Sequence, residues 1–536
     1  MSATAADGSG GSVVRDSRVM ALGTVASRLT GFARNAALVA VLGLGLTKEA
    51  YDVANVLPNF LYELLLGAVV TSTVVPLLVA ARRRDDDGGD AYARALLTLV
   101  AVGLGLVSVV SVLLAPVLVD VLNSSDDPAQ RDLAVDLARF LLPQVVFYGL
   151  SATAGAVLNS RGSFAAPMWA PVLNNLVVVA TCGAFLLLGP AGPTPDGLTT
   201  AQVVVLGAGT TAGIVVMTAA LVPALRRVGL PLRPRFQLRG LGLRRAARLA
   251  SWVLLYVSVS LGGAAVGVAL LTGVGDYAVW TAAYVLYQLP HAVVAVSVIT
   301  ALLPRMAGSA VEDRLDLVAA DVTRGTRLAA SLLVPAAAGA VVLGPDAAVL
   351  VYGWGAGEIS EARRVGAVLG LLAVGLVPFS LQQLQSRAFY ALPDTRTPAL
   401  VQVGLVAVLV TGHLTAAAVL DDGDRVLGMA AAHALAYLVG FLGGRAVLSR
   451  RLGHPVGGGR DVAGRLVPCA LPGALLALGA SVLLRGTLGD GPAGSAAALA
   501  VGGLLLAVTY LPLVLRVGRV PEAAQALGLV RSKVGR

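Results

Sequence analysis

The chain has 536 residues, of which 57% are hydrophobic and only 13% charged, with a mean hydropathy of +0.82. A soluble domain carries about 25% charged residues, so this composition excludes a chain that faces water over most of its surface. The net charge of +10 sits mostly in short loops between apolar runs, where it reads as a topology signal rather than a nucleic-acid surface.

Apolar runs long enough to span, at about 20 residues each, fall at roughly 18–45, 50–80, 91–119, 133–158, 164–189, 199–225, 246–272, 278–304, 327–352, 362–388, 397–420, 426–449, 466–486 and 494–517. Hydrocarbon leaves helices as the only way to satisfy so many short-looped segments. The expected fold is therefore an all-α integral membrane protein of about fourteen transmembrane helices. The first eighteen residues are polar and lack an apolar core followed by a small-residue cleavage site. No cleaved signal peptide is expected, and the first span should direct insertion itself.

The loops alternate in charge. Basic segments include Arg15 with Arg18, Arg82 to Arg84, Arg161, the dense run from Arg226 to Arg245, Arg305 with Arg314, Arg387 with Arg396, Arg450 to Arg465, and a tail with Arg531, Lys533 and Arg536. Between them lie segments poor in basic residues: Lys48-Glu49, the stretch around Asp126, the turn near Asp196, Asp276, Glu358 with Glu361, and Asp421 to Asp424. That alternation predicts an even number of spans with both termini in the cytoplasm.

The second span opens with Glu49 and Tyr51, carries Pro58 and closes at Pro76; the eighth opens with Asp276-Tyr277, carries Pro290 and closes at Pro304. The echo predicts parallel repeats. The expected organisation is an N-terminal lobe over 1–225, a basic cytoplasmic linker over 226–245 and a C-terminal lobe over 246–449. Two extra helices and a tail follow over 450–536.

Charge inside a span is costly and marks function by default. In the first span, Ser27-Arg28-Leu29-Thr30-Gly31-Phe32-Ala33-Arg34 places Arg28 about ten residues into the helix, roughly 15 Å deep, with Arg34 deeper still. Snorkelling explains an arginine within a turn or two of an interface, not both of these. Two readings stand at this point. Either both guanidiniums face a hydrated cavity and bind phosphate, or they form a structural ion pair with Glu49 or Glu63. Gly31 is a point where the helix can bend. Pro58 frees a backbone carbonyl, and Asn59 and Tyr62 extend the polar face of the second span. Gln288 and His291 flank Pro290 as candidates for the second half of a cavity. Gln382, Gln383, Gln385, His413 and His433 are weaker candidates. No phosphate-binding Gly-Lys-Ser/Thr loop and no metal-ligand spacing occurs, and Cys182 and Cys469 lie in apolar stretches. The chain is thus expected to be no enzyme and to need no cofactor.

The run from Ser27 to Arg34 resembles the start of the MurJ (MviN) lipid II flippases, as do Glu49-Ala50-Tyr51, Leu57-Pro58-Asn59, Gly67-Ala68 and Pro76. So do F-Y-G-L (147–150), A-V-L-N-S-R-G-S-F (156–164), P-V-L-N-N (171–175), L-L-P-R-M (302–306) and R-A-F-Y-A-L-P-D-T-R-T-P (387–398). Of the 40 basic residues, 38 are Arg (Lys48 and Lys533 are the two lysines), a usage that resembles a GC-rich actinobacterial genome. The resemblance implies the multidrug/oligosaccharidyl-lipid/polysaccharide exporter fold: two six-helix lobes around a cationic cavity, plus two C-terminal helices forming a groove for a lipid tail. It implies as substrate an undecaprenyl-pyrophosphate-linked disaccharide-pentapeptide, moved from inner to outer leaflet of a bacterial plasma membrane. Membrane lipids and cell-wall synthesis proteins are the other expected partners. Arg28 and Arg34 match the family's two span 1 arginines, and Glu49 stands where an Asp is usual. The family arginines of spans 2 and 8 correspond to Tyr62 and Val285, and the usual Glu before the Gly-Ala pair is Leu66.

Overall fold

In the computed structural model, the described residues are 8–67, 75–84, 86–237 and 243–518. Ala68 of the Gly-Ala pair, residues 238–242 of the basic linker, and Arg531, Lys533 and Arg536 of the tail lie outside them. Every regular element among the described residues is helical. They form two compact units, Met1–Leu261 and Gly262–Arg536, with the division inside one long helix.

The first unit begins with α1 (Gly8–Leu42) and α2 (Leu46–Tyr62), which runs into a π turn at Glu63–Gly67, and continues with α3 (Val75–Arg84) and α4 (Asp90–Leu113). It goes on through α5 (Ala115–Leu122), α6 (Pro128–Leu141), α7 (Gln144–Ser160), α8 (Ala165–Leu186), α9 (Thr200–Ala219) and α10 (Val222–Arg227). Helix α11 (Leu243–Leu271) carries the chain into the second unit. There α12 (Asp276–Pro290) runs into a π turn at His291–Ala295, followed by α13 (Val296–Val311), α14 (Leu315–Tyr352), α15 (Ile359–Val374) and α16 (Leu376–Ala391). The unit ends with α17 (Arg396–Val419), α18 (Asp422–Leu452), the short α19 (Gly459–Asp461), α20 (Val467–Leu488) and α21 (Pro492–Leu513).

Eleven described helical segments are long and apolar enough to cross a bilayer, and α15 with α16, bent by 48° at their junction, makes a twelfth. The expectation was fourteen. Helix α1 carries Arg28, Arg34 and Asn35, and α2 carries Lys48, Glu49 and Asp52, which sets both apart from the apolar segments. The helix starts follow local chemistry. Asp127 caps α6 through the Ala129 and Gln130 amides, and Thr199 with Gln202 forms a capping box on α9.

The two units repeat one pairing pattern. In the first, α2 packs on α6, α4 on α7, α7 on α9 and α8 on α9; in the second, α12 packs on α15, α14 on α16, α16 on α18 and α17 on α18. In both copies a proline-bearing helix runs into a π turn, after Pro58 in one and at Pro290 in the other. The acid that opens each of these helices is fully buried. Glu49 meets Gln130 Nε2 of α6 at 3.4 Å, and Asp276 meets Arg364 Nη2 of α15 at 2.5 Å.

Lipid tails give helices no hydrophobic reason to associate, so packing falls to small residues and polar contacts. Helix α14 approaches α15 so closely at Gly344 and Gly366 that a Cβ on Gly366 would lie 2.3 Å from the Pro345 Cα. The appended pair α20 and α21 packs on α14. Ser481 Oγ donates to the buried Asp346 carboxylate at 2.5 Å, and Tyr510 Oη donates to the Ser331 carbonyl at 2.8 Å. Their other face is apolar and exposed, through Leu471, Leu475 and Leu483 on α20 and Leu504 and Val508 on α21.

Candidate functional site

The first span is one unbroken helix through Ser27–Arg34, so Gly31 introduces no break. What holds this stretch is α8. Asn175 Nδ2 donates to the Ser27 carbonyl at 3.2 Å and to Thr30 Oγ1 at 3.0 Å, and a Cβ on Gly31 would meet that same amide at 3.5 Å. Ser27 and Gly31 therefore belong to the seam between α1 and α8.

Neither Arg28 nor Arg34 forms an ion pair with a carboxylate among the described residues. Arg28 is exposed, while Arg34 is half-buried with its Nε shut off from solvent and without a protein acceptor. The carboxylates named as alternative partners are placed elsewhere. Glu49 is buried against Gln130, and Glu63 is exposed at the start of the π turn. The nearby Asp52 is taken by Lys48, whose Nζ donates to both carboxylate oxygens at 2.7 and 2.6 Å. The buried acid and base of α2 thus neutralise each other and leave the α1 guanidiniums unmatched.

Arg34 lies within electrostatic reach of Tyr51, Tyr148 and Cys182. Tyr148 in turn hydrogen-bonds Asn59, and its ring centroid is 5.9 Å from that of Tyr62. The structure therefore gathers Arg34, Asn59 and Tyr62 around Tyr148, while Asn59 Nδ2 also donates to the Asn55 carbonyl at 2.9 Å. Pro58 is buried on the packed side of α2. Sequence reasoning did not single out Tyr148 or Asn175. The signals that mark them are the F-Y-G-L and P-V-L-N-N runs.

Arg28 and Arg34 are six positions apart, which on an α-helix is about 9 Å of rise and about a third of a turn around the axis. Only long side chains serve one anion from such positions. A guanidinium is suited to this because it stays charged and offers planar, multiple donors to phosphate oxygens.

In the second unit, Gln288 hydrogen-bonds Tyr284, and His291 Nδ1 lies 2.9 Å from Ser380 Oγ with its ring 4.5 Å from that of Phe379. His413 and His433 are both buried and meet Trp280 edge-on at 6.1 and 5.7 Å. Gln382 and Gln385 are buried in α16. No group of three or more His, Cys, Asp or Glu side chains among the described residues is arranged to hold a metal.

A family model described as lipid II flippase MurJ matches residues 38–497. A probable lipid II flippase MurJ of Rhizobium tropici is 28% identical over 383 residues, covering 70% of each chain. The lipid II flippase MurJ of Burkholderia cenocepacia is 26% identical over 429 residues, covering 78% of this chain and 81% of its own. Among solved structures, a lipid II flippase MurJ in an inward closed conformation superposes with a TM-score of 0.73 at 16% identity, over 92% of this chain and 98% of that one. An inward-facing multidrug resistance transporter of the MATE family shares the fold less closely, with a TM-score of 0.65 at 19% identity over 80% of this chain and 95% of that one. With 460 consecutive positions from 38 to 497 accounted for by one family model, this membrane protein belongs to the lipid II flippase MurJ family.

Proposed function

We propose that the chain carries lipid II, the prenyl-pyrophosphate-linked peptidoglycan precursor, from the inner to the outer leaflet of the bacterial plasma membrane. The observation that carries this reading is the absence of a carboxylate partner for Arg28 or Arg34 among the described residues. A pyrophosphate and an acidic peptide cannot cross hydrocarbon unaided, and unmatched guanidiniums replace the water the phosphates give up. Family membership supports the substrate class, and relatives named as lipid II flippases support the reaction.

The transport cycle in this reading is alternating access by the repeated six-helix lobes, without ATP. The prenyl tail stays in lipid, against the apolar outer face of α20 and α21. Both termini are cytoplasmic, as the basic loops require. Glu49 serves as a structural support for α2, and Gln288 and His291 line the C-terminal lobe's share of the path.

The test is depletion of the protein, followed by measuring which leaflet holds the lipid-linked precursor. Inner-leaflet accumulation is expected, with rescue by the natural sequence and none by Arg28→Ala or Arg34→Ala. Unchanged outward delivery on depletion rejects the flippase reading. Full rescue by both variants rejects the phosphate contacts.

A further inference from the structure

The first unit holds a cavity of about 340 Å³ on a different set of helices from Arg28 and Arg34. Its walls are α4 from Arg94 to Val102, Leu150 and Ala154 of α7, Thr218 of α9, Val222 and Leu225 of α10, and the segment from Pro231 to Phe236. The lining is almost wholly apolar except at one end, where Arg94 and Arg233 stand. The strap over that end is fixed to α4 by two bonds. Arg94 Nε donates to the Arg233 carbonyl at 2.9 Å, and the Arg235 amide donates to Thr98 Oγ1 at 2.9 Å. Neither the terminal nitrogens of Arg94 nor the side chain of Arg233 meets a carboxylate among the described residues.

The shape sets the class of ligand. From Arg94 to Val102 is about 12 Å along α4 at 1.5 Å per residue, most of the depth of one leaflet of a hydrocarbon core about 30 Å thick. Beyond Val102, α4 exposes Leu106 and Val109, continuing the apolar wall along a lipid-facing helix. Phe236, 83% exposed, lines the same cavity as the two arginines. A compact polar metabolite has no partner along such a wall. An aliphatic chain fills it, and an anion meets the two guanidiniums at the mouth. Basic pockets at the cytoplasmic ends of spans are suited to anionic lipid headgroups.

We propose that this cavity binds an anionic phospholipid, with one acyl chain between α4, α7 and α10 and its phosphate on Arg94 and Arg233. The lipid joins the strap at 231–236 to the core of the first unit. The assignment stands apart from the transported substrate and holds whichever lipid-linked molecule the protein moves.

The test uses the full-length protein in detergent, with phosphatidylglycerol or phosphatidylcholine added at equal concentration and retained lipid counted by native mass spectrometry. The expected result is several-fold preferential retention of phosphatidylglycerol by the natural sequence. Arg94→Gln with Arg233→Gln should remove that preference, while the exposed control pair Arg450→Gln with Arg451→Gln should keep it. Ala101→Trp, which fills the apolar wall, should lower retention of phosphatidylglycerol with both arginines intact. Equal retention of the two lipids by the natural sequence overturns the proposal. So does a preference that survives the Arg94 and Arg233 changes. Circular dichroism and a monodisperse elution profile establish that each variant is folded, and a variant that fails is replaced by Leu97→Trp or by the single arginine changes.

Discussion

At the scale of single residues, the polar groups of this protein divide into those matched inside the fold and those left open. Asp276 is fully buried and its partner Arg364 is about a quarter exposed, also donating to the Gly423 carbonyl at 3.0 Å. Arg364→Ala leaves a buried carboxylate without its cation, which should cost about 3 kcal/mol, the lower end for a broken buried pair. The apparent melting temperature in detergent should fall accordingly, and Asp276→Asn added to it should recover part of the loss. Tyr148→Phe makes the opposite kind of change. It removes one hydrogen bond to Asn59 while keeping the ring against Tyr62, so stability should move by about 1 kcal/mol and the protein should remain folded. Outward delivery of precursor should fall more than stability does, because Asn59 loses its anchor beside Arg34. A variant equally stable and equally active would remove Tyr148 from the candidate site. Arg28 and Arg34 stand out in the sequence because charge in an apolar run is costly, but the sequence alone left a structural ion pair with Glu49 or Glu63 open. Tyr148 was not, since a tyrosine in a span looks the same whether it packs or organises a site. Glu49 was ambiguous for a related reason: an acid that opens a helix reads identically whether it lines a chamber or is enclosed by Gln130.

Helix placement depends on how near the backbones come. At Gly366 a methyl would meet the Pro345 backbone at 2.3 Å, and neither backbone has a flexible end to move. Gly366→Ala should therefore separate α14 from α15, lower the yield of folded protein and raise protease sensitivity. Gly31→Ala faces only the Asn175 amide at an ordinary 3.5 Å, and α1 is continuous there. That variant should fold normally and keep the natural melting temperature, while a clear loss of stability would show a packing demand that the geometry lacks. The sequence made both glycines look alike, because close approach is a property of the neighbour. The prolines were more informative. Pro58 and Pro290 mark corresponding helices, and the π turns that accompany them add one residue per turn, a geometry that residue patterning does not announce.

For the whole molecule, the membrane class follows from composition and apolar spacing, and the repeat was read from the echo of Glu49, Tyr51 and Pro58 in Asp276, Tyr277 and Pro290; the pairing of α2 with α6 and of α12 with α15 repeats in the structure. The number of spans was harder to read than their nature. Helix α1 carries Arg28 and Arg34 and helix α2 carries Lys48, Glu49 and Asp52, and these charges weaken the hydropathy signal of both. Orientation is testable by cysteine labelling, with Cys182 and Cys469 buried and giving little background. Arg83→Cys should react with a membrane-impermeant reagent only in inside-out vesicles, and Asp126→Cys only in intact cells. The reverse result would invert the proposed topology.

If the phosphates sit on the unmatched guanidiniums of α1, as proposed, the loaded and unloaded carriers differ in charge. With pyrophosphate aboard, the cationic pair would be largely cancelled and the transmembrane electric field would have little to act upon. After release, two positive charges would remain on the returning protein, and a field that is negative inside would favour the state that brings them toward the cytoplasm. A full crossing would be worth about 2.3 kcal/mol per charge for each 100 mV, and a partial displacement proportionately less. Voltage would then act mainly on the empty carrier's reset.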